Sequence, residues 1–152
     1  MDKLEYKRSI WNAGLQKQDR LITDFKKRIA AIEDSEESMG ETQFDSQHAS
    51  QQGSNDEIID AMTGQLNFAQ EEMRILRGLE PNQLHEAIQN GTVVLTEDYR
   101  FYTSVSLEEF VVGEERFFGV STKSPIYNAM CGLKKGDEFE VNGKRYSIRD
   151  VF

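Results

Sequence analysis

A single cysteine, Cys131, rules out an internal disulfide and leaves no spacing that a structural zinc site requires. The two histidines, His48 and His85, lie far from it in sequence, so no Cys–His pair is set up for nucleophilic chemistry. No apolar run approaches the ~18–20 residues that span a bilayer, and the opening MDKLEYKRSIW lacks the apolar core of a signal peptide. A chain without export or membrane contact, kept in a reducing cytoplasm, is the expectation. The glycines form neither GxGxxG nor a P-loop. Basic residues are missing from one window. Residues 31–60 hold nine acids and no Lys or Arg, whereas residues 1–30 carry +4 and residues 61–152 carry −4. Such a window repels free nucleic acid and attracts cations or a basic partner surface.

What is present is helical periodicity, twice. Leu4, Trp11, Leu15, Ile22, Phe25, Ile29 and Ile32 fall on one stripe, with Lys7, Arg8, Lys17, Arg20, Lys26, Lys27 and Arg28 on the other face. A second stripe runs Ile59, Met62, Leu66, Ala69, Met73 and Leu76, and Gly78 and Pro81 close it. Neither helix buries its stripe alone, so an antiparallel coiled-coil hairpin over 1–78 is expected. Setting Leu4 opposite Leu76 places Trp11 near Ala69 and the reversal at Met39-Gly40. Residues 46–55, SQHASQQGSN, are poor helix formers. The second helix therefore starts either at the turn or only at Asn55, with 34–55 a loop. Both versions put an acidic tip at about 34–57.

From residue 79 the pattern changes, and a small β-rich domain over 79–152 is expected, giving an α+β fold class. A short helix is predicted over Gln83–Gln89. Strands are predicted at Thr92–Thr96, Arg100–Val105, Arg116–Ser121, Glu138–Val141 and Arg145–Val151, with Asn142-Gly143 as a hairpin turn. Ser124-Pro125 reads as an N-cap followed by proline at the first helical position, opening a short helix that Gly132 ends.

The acids are the residues with chemistry to offer. Carboxylates at the end of a rod can be carried into a narrow site on a partner and there hold a divalent cation and a water. Glu41 and Asp45 are four apart and would share a helix face if the second arm began at the turn, and Glu37 lies just before it.

The segment Ser124-Pro-Ile-Tyr-Asn-Ala-Met-Cys-Gly-Leu-Lys-Lys-Gly-Asp137, then Glu138-Phe-Glu-Val and Tyr146-Ser-Ile-Arg-Asp-Val151, resembles the C-terminal domain of Gre-type transcription elongation factors. That domain is FKBP-like and follows an antiparallel coiled coil, so the resemblance spans the order of both parts. It implies that the hairpin enters the secondary channel of bacterial RNA polymerase. There, two tip acids help hold the second active-site magnesium and stimulate cleavage of backtracked RNA.

The family's tip reads about G-D-L-x-E-N-A-E-Y. Here Gly40-Glu41-Thr42-Gln43-Phe44-Asp45 offers Glu41 for the first acid and Asp45, one residue out of step, for the second. Glu41, Asp45 and Glu37 are thus the implied ligands of an Mg²⁺ shared with the polymerase, and the isolated chain is expected to bind no cofactor. Lys17, Arg20, Lys26 and Lys27 would line the channel or meet the nascent RNA 3′ end. Ser124, Pro125 and Ile126 would belong to the docking domain. The chain would be a monomeric accessory factor, not itself an enzyme. Three alternatives stand beside this: a channel-binding inhibitor without cleavage activity, a peptidyl-prolyl isomerase on the FKBP-like domain, and a bare dimerisation module.

Overall fold

The computed structural model describes residues 2–40 and 46–152, with side chains over 2–35 and 55–152. Two long helices come first, α1 (Lys3–Gly40) and α2 (Ser46–Arg77). There follow β1 (Val93–Thr96), β2 (Arg100–Ser104), β3 (Leu107–Val112), β4 (Glu115–Ser121), α3 (Pro125–Met130), β5 (Glu138–Val141) and β6 (Lys144–Val151). The fold is α+β. Asp2 starts α1, its carboxylate accepting the Glu5 amide at 2.9 Å. The Ser/Gln-rich stretch 46–55 is helical, so neither the start at Asn55 nor the loop over 34–55 is realised. Serine and glutamine cost less than about 0.7 kcal/mol per residue in a helix, which propagation from a nucleated helix absorbs.

The chain divides into two compact units, residues 19–71 and residues 1–18 with 72–152. In the first, Ile22 and Ala69 are buried, and Phe25, Ile29, Ile32, Met62 and Leu66 are half-buried. These are the predicted stripes. Arg20, Lys26 and Lys27 lie exposed, as does the ring of Phe68 at 66%.

The second unit is built on a six-stranded sheet in the order β3-β4-β2-β1-β6-β5. The β2–β4 pair is parallel and the other pairs are antiparallel. Both faces are covered, so the central strands alternate between two cores. One core takes Val93, Tyr102, Phe110, Phe117 and Phe152 together with Ile10 of α1 and Leu76 of α2. The other takes Val94, Phe101, Val120, Phe139 and Ile148 with Met130 of α3. Alternation with both faces buried explains why β1 and β2 read as apolar or Thr/Ser runs without an exposed side.

Within this unit the ends of α1 and α2 pair antiparallel, but not in the expected register. The Trp11 indole donates to the Leu76 carbonyl at 2.8 Å, and Gln18 hydrogen-bonds Glu72, which also accepts the Ser106 amide at 3.2 Å. Trp11 thus meets Leu76 rather than Ala69, a displacement of about two helical turns. α1 runs on through Met39 and Gly40, so the chain does not reverse where expected. A shift of seven residues lays one apolar stripe back on the other, so spacing alone leaves the register open. The half-buried indole N–H decides it by needing an acceptor.

Two further readings are corrected. Residues 83–89 are not helical. The Ile88 amide donates to Leu133 O at 2.9 Å, the Gly132 amide to Ile88 O at 2.8 Å, and Ala87 bridges Lys134. Non-local partners outcompete a local helix here, and Ile88 is buried by them. A strand, β3, was also not expected. Its register on β4 shifts between Leu107 and Phe110, where Glu108 and Glu109 interrupt the apolar alternation.

Candidate functional site

The segment 124–137 folds as a capped helix and a tight turn, each motif residue having a local task. Ser124 is extended (φ −83°, ψ 153°), its hydroxyl accepts the Tyr127 amide at 3.3 Å and donates to Ser121 O at 2.6 Å. Pro125 follows at the first turn, where no amide donor is needed. Ile126 packs half-buried against the second core, whereas Pro125 is exposed. Cys131 closes α3 with its amide on Tyr127 O at 2.8 Å, and its thiol is exposed. The Gly136-Asp137 pair then makes the turn. The Asp137 carboxylate accepts the Lys134 amide at 2.8 Å, and Gly136, at φ 94°, donates its amide to Ile148 O at 2.9 Å. Ser124 and Ile126 therefore shape the segment, and Pro125 is the one of the three that faces outward. Ser124→Ala should cost about 1 kcal/mol, the usual value of a lost N-cap. Urea unfolding measures it, and an unchanged midpoint would show that α3 does not depend on its cap.

The remaining predicted residues are distributed over the chain. Lys17 is half-buried on α1, and Arg20 and Lys27 are exposed on the same helix. Glu37 belongs to α1, with its side chain outside the described residues; Glu41 and Asp45 lie outside them altogether. Among the described residues no group of three His, Cys, Asp or Glu side chains is placed to hold a metal ion. No helix among them is long and apolar enough to cross a membrane.

Polar and charged groups that sequence spacing did not single out gather around α1 and the sheet. Lys7, expected on the polar face of the first helix, is instead fully buried and donates to Gln83 O at 2.6 Å, with Glu80 as an opposite charge acting on it. Next to it His85 meets the Thr92 hydroxyl at 2.7 Å; burial and then the charge of Lys7 hold its pKa below the ordinary value. The Tyr6 hydroxyl donates to Glu115, which also pairs with Arg100 at 2.8 Å. On the sheet, Asp98, Tyr99, Arg100, Glu109 and Glu114, with Arg116 and Phe118, line a cavity of about 340 Å³. Two of its seven lining residues, Glu109 on β3 and Glu114 in the β3–β4 turn, come from a strand and turn that no spacing announced.

No family model matches the chain, and neither does any curated protein. Among solved structures, the crystal structure of Thermus aquaticus Gfh1 is similar at a TM-score of 0.31 and 15% identity, over 92% of this chain and 94% of that chain. A structure of the transcription factor Gfh1 is similar at a TM-score of 0.30 and 17% identity, over 91% of each chain.

Proposed function

We propose that this chain is a Gre-like transcription factor that binds RNA polymerase through its secondary channel and stimulates cleavage of backtracked RNA. The observation that carries the reading is the segment 124–137. Its Ser-Pro-Ile cap, its closing glycine and its Gly-Asp turn all have structural work to do in the fold, and they follow two long paired helices in the order the resemblance requires. The acid-only window 31–60 occupies the end of α1, the connection and the start of α2.

On this reading the chain binds and positions, and the bond-breaking chemistry belongs to the polymerase. Glu41 and Asp45, with Glu37, are the residues that would hold a magnesium ion shared with the polymerase, where the metal supplies charge neutralisation and a bound water. The exposed Arg20 and Lys27, and Lys17, would face the channel wall or the RNA 3′ end.

Two measurements test it in order. Pull-down with bacterial core polymerase is expected to retain the full chain and to lose a variant lacking residues 34–56. Failure to retain the full chain removes the polymerase reading. With binding in hand, magnesium-dependent shortening of RNA in backtracked complexes is expected. It should fall about 10²-fold in Glu41→Ala/Asp45→Ala, the scale of losing a group that stabilises charge at a reacting centre. Binding without shortening would instead assign the chain as a channel-occupying inhibitor.

A further inference from the structure

Leu21, Ile58 and Phe68 are large apolar side chains left exposed on the paired helices of residues 19–71. Scattered, they would need no explanation. Helical geometry gathers them. Each stands one position before a residue of its helix's inward stripe, namely Ile22, Ile59 and Ala69. One position is a rotation of about 100°, and equal rotations of one sense on antiparallel helices open onto the same side. With Trp11 on Leu76 and Gln18 on Glu72, the register also brings Leu21 level with Phe68. The positions one after the stripes face the other side. They hold Thr23, Lys26, Glu33, Thr63, Asn67 and Gln70, all exposed. One side of the hairpin is therefore apolar and the other polar.

The apolar side has the dimensions of a short helix. It runs from Leu21 and Phe68 to Ala31 and Ile58, about 15 Å at the helical rise. Ala31 and Ala61, on the same side, leave room for another backbone to approach. Inside a helix the backbone groups bond to one another, so this surface offers no edge to a strand and suits an amphipathic helix laid in the groove.

The margin of the groove carries a sign. Arg28 comes one position before the stripe residue Ile29, Arg20 adjoins Leu21, and Asp24 is the one acid between the two arginines. Among the described residues no carboxylate pairs with Arg20 or Arg28, although the chain as a whole has a net charge of −9. A second copy of this side would not supply one, since its α2 presents Ala61 and Gln65 there.

We propose that this side of the hairpin receives an acidic amphipathic helix of a partner polypeptide, packing its apolar stripe on Leu21, Ile58 and Phe68 and turning its carboxylates to Arg20 and Arg28. The surface includes neither the tip acids nor the segment 124–137, so the outcome of the cleavage assay leaves it standing.

The probe is the helical peptide acetyl-(Glu-Leu-Ala-Glu-Leu-Glu-Ala)₃-amide, titrated into the ¹⁵N-labelled full chain, with the same peptide carrying Lys for Glu as control. A dissociation constant of roughly 10–100 µM is expected, with amide shifts centred on residues 20–31 and 58–68. The lysine peptide should bind at least about tenfold more weakly. Leu21→Gln/Phe68→Gln changes two exposed positions, so the chain keeps its fold, and it too should lose at least about tenfold. Arg20→Gln/Arg28→Gln should remove the preference for the acidic peptide. No binding at about 1 mM, equal binding of the lysine peptide, shifts centred elsewhere or an unchanged affinity in Leu21→Gln/Phe68→Gln would each overturn the assignment. So would sedimentation of the chain alone as a dimer that Leu21→Gln/Phe68→Gln turns into a monomer, which would give this side to a second copy.

Discussion

Gly119→Ala is expected to unfold the sheet unit. Gly119 lies in β4 opposite Tyr102 of β2 and Leu107 of β3, so it is hemmed in on both sides. A Cβ there would stand 2.4 Å from Val105 O, 2.5 Å from Leu107 Cβ and 2.8 Å from Leu107 N. Two of these are backbone atoms, so no rotamer change relieves the overlap. The connection between β2 and β3 would have to move away from the sheet, taking Val105, Leu107 and Phe110 out of the first core. Overpacking by a methyl group usually costs about 1–3 kcal/mol; a clash against the backbone of the β2–β3 connection, which no side-chain rotation relieves, belongs at or above the top of that range. Urea unfolding followed by far-ultraviolet circular dichroism measures it. Gly64→Ala provides the contrast: nothing lies within 4 Å of its Cβ position on α2, and helix propensity predicts a gain of about 0.5–1 kcal/mol. Equal midpoints for Gly119→Ala and the parent would mean that β3 does not cross β4 where described.

The same glycine marks the limit of what the sequence made legible. Local chemistry was readable. Asn142 at φ 52° and Gly143 at φ 79° form the hairpin turn that Asn-Gly announces, and the Ser-Pro cap sits where the residues put it. The five predicted strands all occur, shifted by at most one residue at either end. Both long helices were visible because an apolar stripe at helical spacing is a strong, repeated signal.

What stayed hidden depends on partners distant in sequence. β3 has Glu108 and Glu109 at its centre, and only its pairing with β4 and the covering Ile10, Gly14 and Leu76 make a strand of it. Residues 83–89 look like helix formers, yet the amide and carbonyl of Ile88 are claimed by Leu133 and Gly132 after α3. The register of α1 on α2 rests on one indole N–H and one Gln–Glu pair. For the candidate site the division is the same. The residues of 124–137 announce themselves because their bonds are short-range, whereas the cavity at Tyr99 and Phe118 exists only once β3 is in place.

Lys7 is expected to make the fold more stable as pH rises from about 8 towards 10. Its side chain is fully buried, and burial brings its pKa down to about 8, with the charge of Glu80 opposing the shift. In the unfolded chain the ammonium keeps its proton to about 10.5. Between those two values the unfolded state binds more protons than the folded one, so raising the pH favours folding. Below about 8 both states are charged and the full cost of burying an ammonium is present, on the order of 3 kcal/mol. His85 adds a smaller rise through its ordinary range, because burial and Lys7 disfavour its charged form. Tyr6 and Tyr102 act in the opposite sense at higher pH. Burial raises both phenols, so the folded form keeps protons that the unfolded chain has given up above about 10. Above about 10 the two phenols therefore work against the gain that Lys7 gives. Lys7→Met should abolish the rise between pH 8 and 10, while leaving the Gln83 carbonyl without its donor at a cost of about 1–3 kcal/mol. Urea midpoints at pH 7, 8, 9 and 9.5 separate the two effects, since the lost hydrogen bond lowers every point equally and the lost titration removes only the slope. A variant that keeps the slope would place the alkaline stabilisation on another group.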